Sequence, residues 1–137
     1  MNVMLKSGDS FRVFSIMDVW VLKETLLDRQ YEAASLPLQK SWTVIDIGAA
    51  LGDYTVWAAK QIPDGRVIAV EPYPPSVSLL RKNLDANHVV NVDVFEGAVA
   101  AKSGKSILGV DEGRVVQNST SALAGHNQTV EVKTIIL

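Results

Sequence analysis

Three acids in this chain stand where chemistry can be expected, because each follows or sits within an apolar run and is close to a small-residue turn. Asp46 lies in Val44-Ile45-Asp46-Ile47-Gly48-Ala49-Ala50-Leu51-Gly52-Asp53-Tyr54-Thr55, Glu71 closes Arg66-Val67-Ile68-Ala69-Val70-Glu71, and Glu96 precedes Gly97-Ala98. A carboxylate accepts hydrogen bonds from amines and hydroxyls. Glycine, lacking a Cβ, tolerates positive φ and lets backbone approach a ligand closely. The first stretch therefore points to a small-molecule cofactor site at the turn that begins with Gly48.

The elements that must position these residues alternate in type. Thr43 to Ile47 is a continuous apolar run around β-branched residues, as expected of a central strand covered on both faces. Tyr54 to Gln61 reads as a helix with Tyr54, Trp57, Ala58 and Gln61 on one side, and Pro63-Asp64-Gly65 supplies a turn. Arg66 to Glu71 is a second buried strand. Pro74 and Pro75 can start a second helix with the stripe Val77, Leu80 and Leu84, and Asn87 is placed to end it in a left-handed conformation. Asn91 to Glu96 alternates Val92, Val94 and Glu96 against Asp93 and Phe95, as a third strand. Strands joined by helical crossovers form a parallel, right-handed βαβαβ unit, which binds ligands at the carboxyl ends of its strands. Asp46, Glu71 and Glu96-Gly97-Ala98 all fall there.

Flanking segments are less regular. Phe11, Val13 and Phe14 mark a short strand within residues 8 to 16, and Val19, Leu22, Leu26 and Leu27 recur at helical spacing from Met17 to Tyr31. Asp18 is placed to oppose the dipole at that helix's N-terminus. Pro37 ends the segment. Beyond Ala98, the turn signals Lys102-Ser103-Gly104-Lys105 and Asp111-Glu112-Gly113-Arg114 surround runs at Ile107 to Val110 and Val115-Val116, as in a hairpin. Asn118 to Gln128 reads as a polar loop, and Thr129 to Leu137 as a strand.

The 137 residues, 47% hydrophobic and 20% charged, support one domain covering residues 1–137. A formal net charge of -2 favours neither nucleic acid nor an anionic membrane as partner. Without cysteine, thiolate metal sites and cysteine nucleophiles are excluded, and no metal centre is expected. The start lacks a secretory pattern and no apolar stretch is long enough to span a bilayer, so a cytoplasmic protein is expected. The sequons at Asn118 and Asn127 are then chance matches.

The turn also discriminates among cofactors. A dinucleotide motif beginning at Gly48 would need glycine where Ala50 stands, and Asp53 is an acid where a diphosphate would be attracted. A P-loop is excluded because no Gly-Lys-Ser/Thr follows. S-adenosylmethionine carries no phosphate and fits better. Gly48 and Gly52 would admit its methionine end, Asp46 would hold the loop or accept from its amine directly or through water, Glu71 would accept from both ribose hydroxyls, and the backbone at Ala98 would meet its adenine edge.

The Asp46 stretch, followed by Val67-Ile68-Ala69-Val70-Glu71-Pro72 and Leu80-Arg81-Lys82-Asn83-Leu84-Asp85-Ala86-Asn87, resembles the FkbM family of S-adenosylmethionine-dependent methyltransferases in order and spacing. The resemblance extends more weakly over nearly the whole chain. It implies an α/β class I methyltransferase (Rossmann-like) core with a C-terminal hairpin and strand extension, and methyl transfer, commonly to a hydroxyl. It assigns Asp46, Gly48, Ala49, Gly52, Tyr54 and Thr55 to the cofactor loop, Glu71 to the ribose, and Pro72 and Tyr73 to the adenine side. The family often has Asn in place of Ala50, and many class I enzymes have an acid near Ala98. It also continues past the equivalent of Leu137, so a truncated sheet is expected, with a homo-oligomer covering its open edge.

No catalytic base stands out. His88 and His126 read as surface positions, Tyr31 is placed to reach the cofactor if its helix lies over the site, and Trp20, Trp42 and Trp57 read as core or interface. Two alternatives to an enzyme acting on a small-molecule acceptor are a non-catalytic cofactor-binding module and, disfavoured by Ala50 and Asp53, a nicotinamide-dependent oxidoreductase.

Overall fold

The computed structural model describes residues 1–31, 37–110 and 128–136. In chain order the elements are β1 (Asn2–Met4), β2 (Ser10–Arg12), α1 (Ile16–Leu22), a π-helical continuation of it (Lys23–Leu27), β3 (Thr43–Ile47), α2 (Asp53–Gln61), β4 (Arg66–Glu71), α3 (Pro74–Ala86), β5 (Val92–Glu96), β6 (Ala98–Val99), β7 (Gly104–Val110) and β8 (Gln128–Ile135). β3, β4 and β5 pair in parallel in that order, with Asp46 opposite Ala69 and Glu71 opposite Glu96. This is the expected Rossmann-like βαβαβ core.

Both crossovers run in the same direction along the sheet, so a common right hand places α2 and α3 on the same face. That face carries Val44, Asp46, Val67, Ala69, Val92 and Val94, and two apolar clusters cover it. One joins Ala69 to Phe11, Leu22, Leu51, Val56, Leu79, Leu80 and Leu84, and the other joins Val67 to Ala58, Ala59 and Ile62. The opposite face is open at β3 and β5 among the described residues, although Val70 of β4, on the same face, is buried. Ile45, Ile47 and Phe95 are 47%, 59% and 49% exposed, so β3 is not the doubly covered strand that its apolar run predicts. Apolar side chains alternate in space whether one face is covered or both, and the residues that would cover this face have no local signature in β3.

Three asparagines, Asn83 and Asn87 buried and Asn91 partly so, fasten the layers. Asn83 of α3 accepts from the Arg12 backbone N–H at 2.7 Å and donates to the carbonyls of Arg12 and Leu51 at 3.1 and 2.8 Å. One turn later Asn87 accepts from the Ser10 N–H at 3.0 Å and donates to the Ser10 and Asn83 carbonyls. Asn91 donates to the Ala59 and Ile62 carbonyls, satisfying the C-terminal end of α2 from the start of β5. Asn87 is therefore not the left-handed terminator expected: its φ is -102°, and His88 takes the positive φ of 54°. Its side chain is committed to the hairpin.

Other expectations shift by a few residues. The helix expected over 17–31 begins at Ile16 with a Ser15–Asp18 capping box, then widens at Lys23, which turns Leu27 out to 62% exposure. In α2 the buried positions are Asp53, Thr55, Val56, Ala58 and Ala59, while Gln61 is exposed. β7 pairs antiparallel with β8; the strand expected at Val115-Val116 lies outside the described residues together with most of the Asn118–Gln128 loop, His126 and Leu137. β6 pairs in parallel with β8 to complete a second sheet. β1 has no counterpart in the sequence reading, since three residues show no periodicity.

Because Asn83 is fully buried, Asn83→Leu leaves the Arg12 N–H and two carbonyls without their partner in an apolar surround. Chemical denaturation should show a loss of about 3 kcal/mol. A loss below about 0.5 kcal/mol would mean that water replaces these bonds.

Candidate functional site

The ladder between β3 and β4 runs on into the turn, because the N–H groups of Gly48 and Ala49 both reach the Val70 carbonyl, at 2.8 and 3.1 Å. The chain then needs three left-handed conformations within five residues, at Gly48 (φ 81°), Ala50 (φ 46°) and Gly52 (φ 90°). The glycines serve different ends. An added Cβ at Gly48 would meet nothing within 4 Å, whereas one at Gly52 would lie 2.4 Å from Leu80 Cδ1. Gly48 thus leaves space open over the turn, and Gly52 lets α2 start against α3. Ala50 carries the strain of a left-handed residue with a Cβ, roughly 1 kcal/mol, and is held by a bond from its N–H to Glu71 Oε2 at 2.9 Å.

Over this turn lies a cavity of about 360 Å³. Asp46, Gly48, Ala49, Tyr54, Glu71 and Pro72 line it, so six of the ten expected cofactor residues are brought together. The other four are set back from it. Thr55 donates its hydroxyl to Asp46, Gly52 packs on Leu80, and Tyr73 donates its N–H to Glu71 Oε1 at 2.9 Å. Ala98 is buried with Leu108, Val110 and Val132, and Tyr73 packs against that cluster.

The end of α1 and the segment after it form the far wall with Val21, Glu24, Thr25, Gln30 and Tyr31. Tyr31 lines the cavity, and its ring lies against that of Tyr54 with centroids 4.6 Å apart and planes tilted by 48°. Thr25 was not singled out by any sequence pattern. It is buried and donates its hydroxyl to Asp53 Oδ2 at 2.5 Å, tying the π-helical turn to the first residue of α2. The widened turn itself has no sequence signature, although such turns recur at functional sites.

No lysine, arginine or histidine is found among the described lining residues. Burial accordingly raises every carboxyl of the inner group. Glu71 is pushed up by burial and by nearby Asp46, against the two backbone N–H groups that favour its charged form. Asp46 is raised by burial against its bond from Thr55. Asp53 is raised furthest, from 3.8 to about 6, by burial and then Asp46, although Thr25 and the backbone N–H groups of Asp53 and Tyr54 all stabilise its anion. A carboxylate has about four lone-pair sites, and Glu71 uses two on backbone, leaving two for a diol. The residues present therefore fit the ribose and ammonium of S-adenosylmethionine.

Comparison with known proteins gives a consistent class. A family model described as Vibrio cholerae RfbT protein matches residues 36–133. Methyltransferase sdnD of Sordaria araneosa is 27% identical over 70% of this chain and 34% of its own length. Release factor glutamine methyltransferase of Geobacter sulfurreducens is 34% identical over 60% of the chain and 26% of its own length. Among solved structures, a precorrin-6y C5,15-methyltransferase from Geobacter metallireducens matches with a TM-score of 0.46 and 31% identity, over 50% of this chain and 36% of that one. The chain thus spans about a third or less of the length of the relatives it matches.

Asp53 also sets a pH dependence. A carboxyl whose folded pKa lies above its unfolded one binds protons more tightly when folded, so stability is greatest below the unfolded value and is lost as pH rises through the folded one. Between pH 3.8 and about 6 the protein without ligand should lose stability on this account. The loss should be on the order of 2 kcal/mol. Urea midpoints measured across that window should fall in the wild type and flatten in Asp53→Asn; parallel curves would place the titration elsewhere.

Proposed function

Because the chain belongs to the Vibrio cholerae RfbT protein family and its named relatives include several methyltransferases, we propose that it is the cofactor-binding part of an S-adenosylmethionine-dependent methyltransferase. The observation that carries this is Glu71. Its carboxylate ends the second core strand, bridges the Ala50 and Tyr73 N–H groups, and keeps two acceptor sites toward a cavity without cationic side chains among the described residues. The family model that matches is not FkbM, so the FkbM resemblance supports a finer proposal: methyl transfer to a hydroxyl of a small-molecule acceptor.

S-adenosylmethionine would supply an activated methyl group on sulfur. What this chain contributes is placement, which accounts for much of the rate in such displacements. Glu71 would hold the ribose and Asp46 the ammonium, while Pro72 and Tyr73 border the adenine side. Tyr31 from the far wall and Tyr54 from α2 would cover the methionine end. A non-catalytic cofactor-binding module is the second reading. It is favoured by the fact that Glu24, Asp46, Asp53 and Glu71 each accept a hydrogen bond from the chain itself, so every carboxylate lining the cavity among the described residues also has a structural role. Formation of S-adenosylhomocysteine in the presence of hydroxylated acceptors separates the two.

Self-association through the open sheet face is also proposed, since Ile45, Ile47 and Phe95 form an apolar surface at one end of a three-stranded sheet. Sedimentation at micromolar concentration should show a dimer or larger, and Ile45→Glu a monomer. A monomeric wild type would exclude it.

The cofactor assignment is tested by calorimetry. S-adenosylmethionine should bind the wild type, and Glu71→Gln, which keeps the size but loses the charge, should weaken binding about tenfold. No heat with the wild type would overturn the assignment.

A further inference from the structure

In a nucleotide-binding βαβ unit the helix that follows the first strand directs its N-terminus at a ligand phosphate, because unpaired N–H groups and the dipole there amount to about half a positive charge. In this protein that position is already taken. Asp53 is the first residue of α2, is 6% exposed, and its carboxylate is bonded by the backbone N–H groups of Asp53 and Tyr54. Its other contact, the Thr25 hydroxyl at 2.5 Å, reaches across from the far wall and fixes the carboxylate in place.

We propose that Asp53 is a built-in anion that occupies the N-terminus of α2 and makes the cavity select against ligands bearing a phosphate or diphosphate at that point. This deepens, and rests on, the assignment of the cavity to a phosphate-free cofactor. Among the described residues that line the cavity, the titratable groups beside Asp53 have the same sign or none. Asp46 faces it from β3, Glu24 and Tyr31 from the far wall, and Tyr54 from its own helix. No described lining residue offers a cation that could offset an incoming phosphate. A cationic ammonium meets the opposite situation, since the same carboxylates attract it. The discrimination is therefore double: attraction for the amino-acid end of one cofactor class and repulsion of the diphosphate of another.

The test compares NAD, as the diphosphate probe, with S-adenosylhomocysteine on the same protein. In Asp53→Asn and Asp53→Ser the ratio of the two dissociation constants should shift toward NAD by tenfold or more. Asp53→Glu, which keeps the charge, should leave the ratio within about threefold of the wild type. Far-ultraviolet circular dichroism and thermal unfolding establish that each variant is folded, and if one neutral variant fails to fold the other decides. In the wild type, NAD affinity should also rise as pH falls through about 6, where the carboxyl is neutralised. An unchanged ratio in a folded neutral variant that still binds S-adenosylhomocysteine would overturn the proposal. Failure of the wild type to bind S-adenosylhomocysteine would instead remove the cofactor assignment, and the change in NAD affinity between the wild type and the neutral variants would still decide the role of Asp53.

Discussion

Crowding of like charges in a desolvated cleft is the constraint around which this structure is arranged. Asp46, Asp53 and Glu71 converge at the ends of two adjacent strands and the start of a helix, with no described cation beside them. Each would be costly to bury alone. Each is instead held by a donor from another part of the chain: Asp46 by Thr55 on α2, Asp53 by Thr25 on the π-helical turn, and Glu71 by the N–H groups of Ala50 and Tyr73. The same bonds that make the acids tolerable fix the turn, the wall and the second loop relative to one another.

This arrangement explains why the turn can hold a strained residue. Ala50 is left-handed without being glycine, and the N–H that its conformation presents is the one that Glu71 accepts. Charge and backbone shape are thus coupled. Ligand hydroxyls at Glu71 would add to the neutralisation that the turn begins, so the protein with cofactor bound should be the more rigid form of this loop.

The core was legible in the sequence where one residue type had one explanation. The runs ending at Ile47 and Glu71 and the alternation from Val92 to Glu96 form strands, and Pro74-Pro75 starts a helix, as read. Six expected residues meet at one cavity because strand ends of a parallel sheet must lie side by side. What was not legible depends on contacts far away in sequence. The open face of β3 looks like a covered one in composition, and the partner of β7 is separated from it by residues 111–127. Thr25 resembles any helical threonine until α2 is placed beside it. Asp53 did carry a signal, as an acid where a diphosphate would go; its burial against Thr25 did not.

Asn83 of α3 and Asn87 just after its end have a further effect on the N-terminal hairpin. Four residues of helix advance about 6 Å and two residues of strand about 6.7 Å, so Asn83 and Asn87 match Arg12 and Ser10 in step. Each amide presents a donor and an acceptor, as a neighbouring strand would. The helix therefore acts as a template for the parity of β2. A slip of one residue would turn the paired backbone groups to the other edge, and a slip of two would leave one amide facing no partner. A strand of only three residues is thereby held in a single register that its own two-stranded pairing would specify poorly.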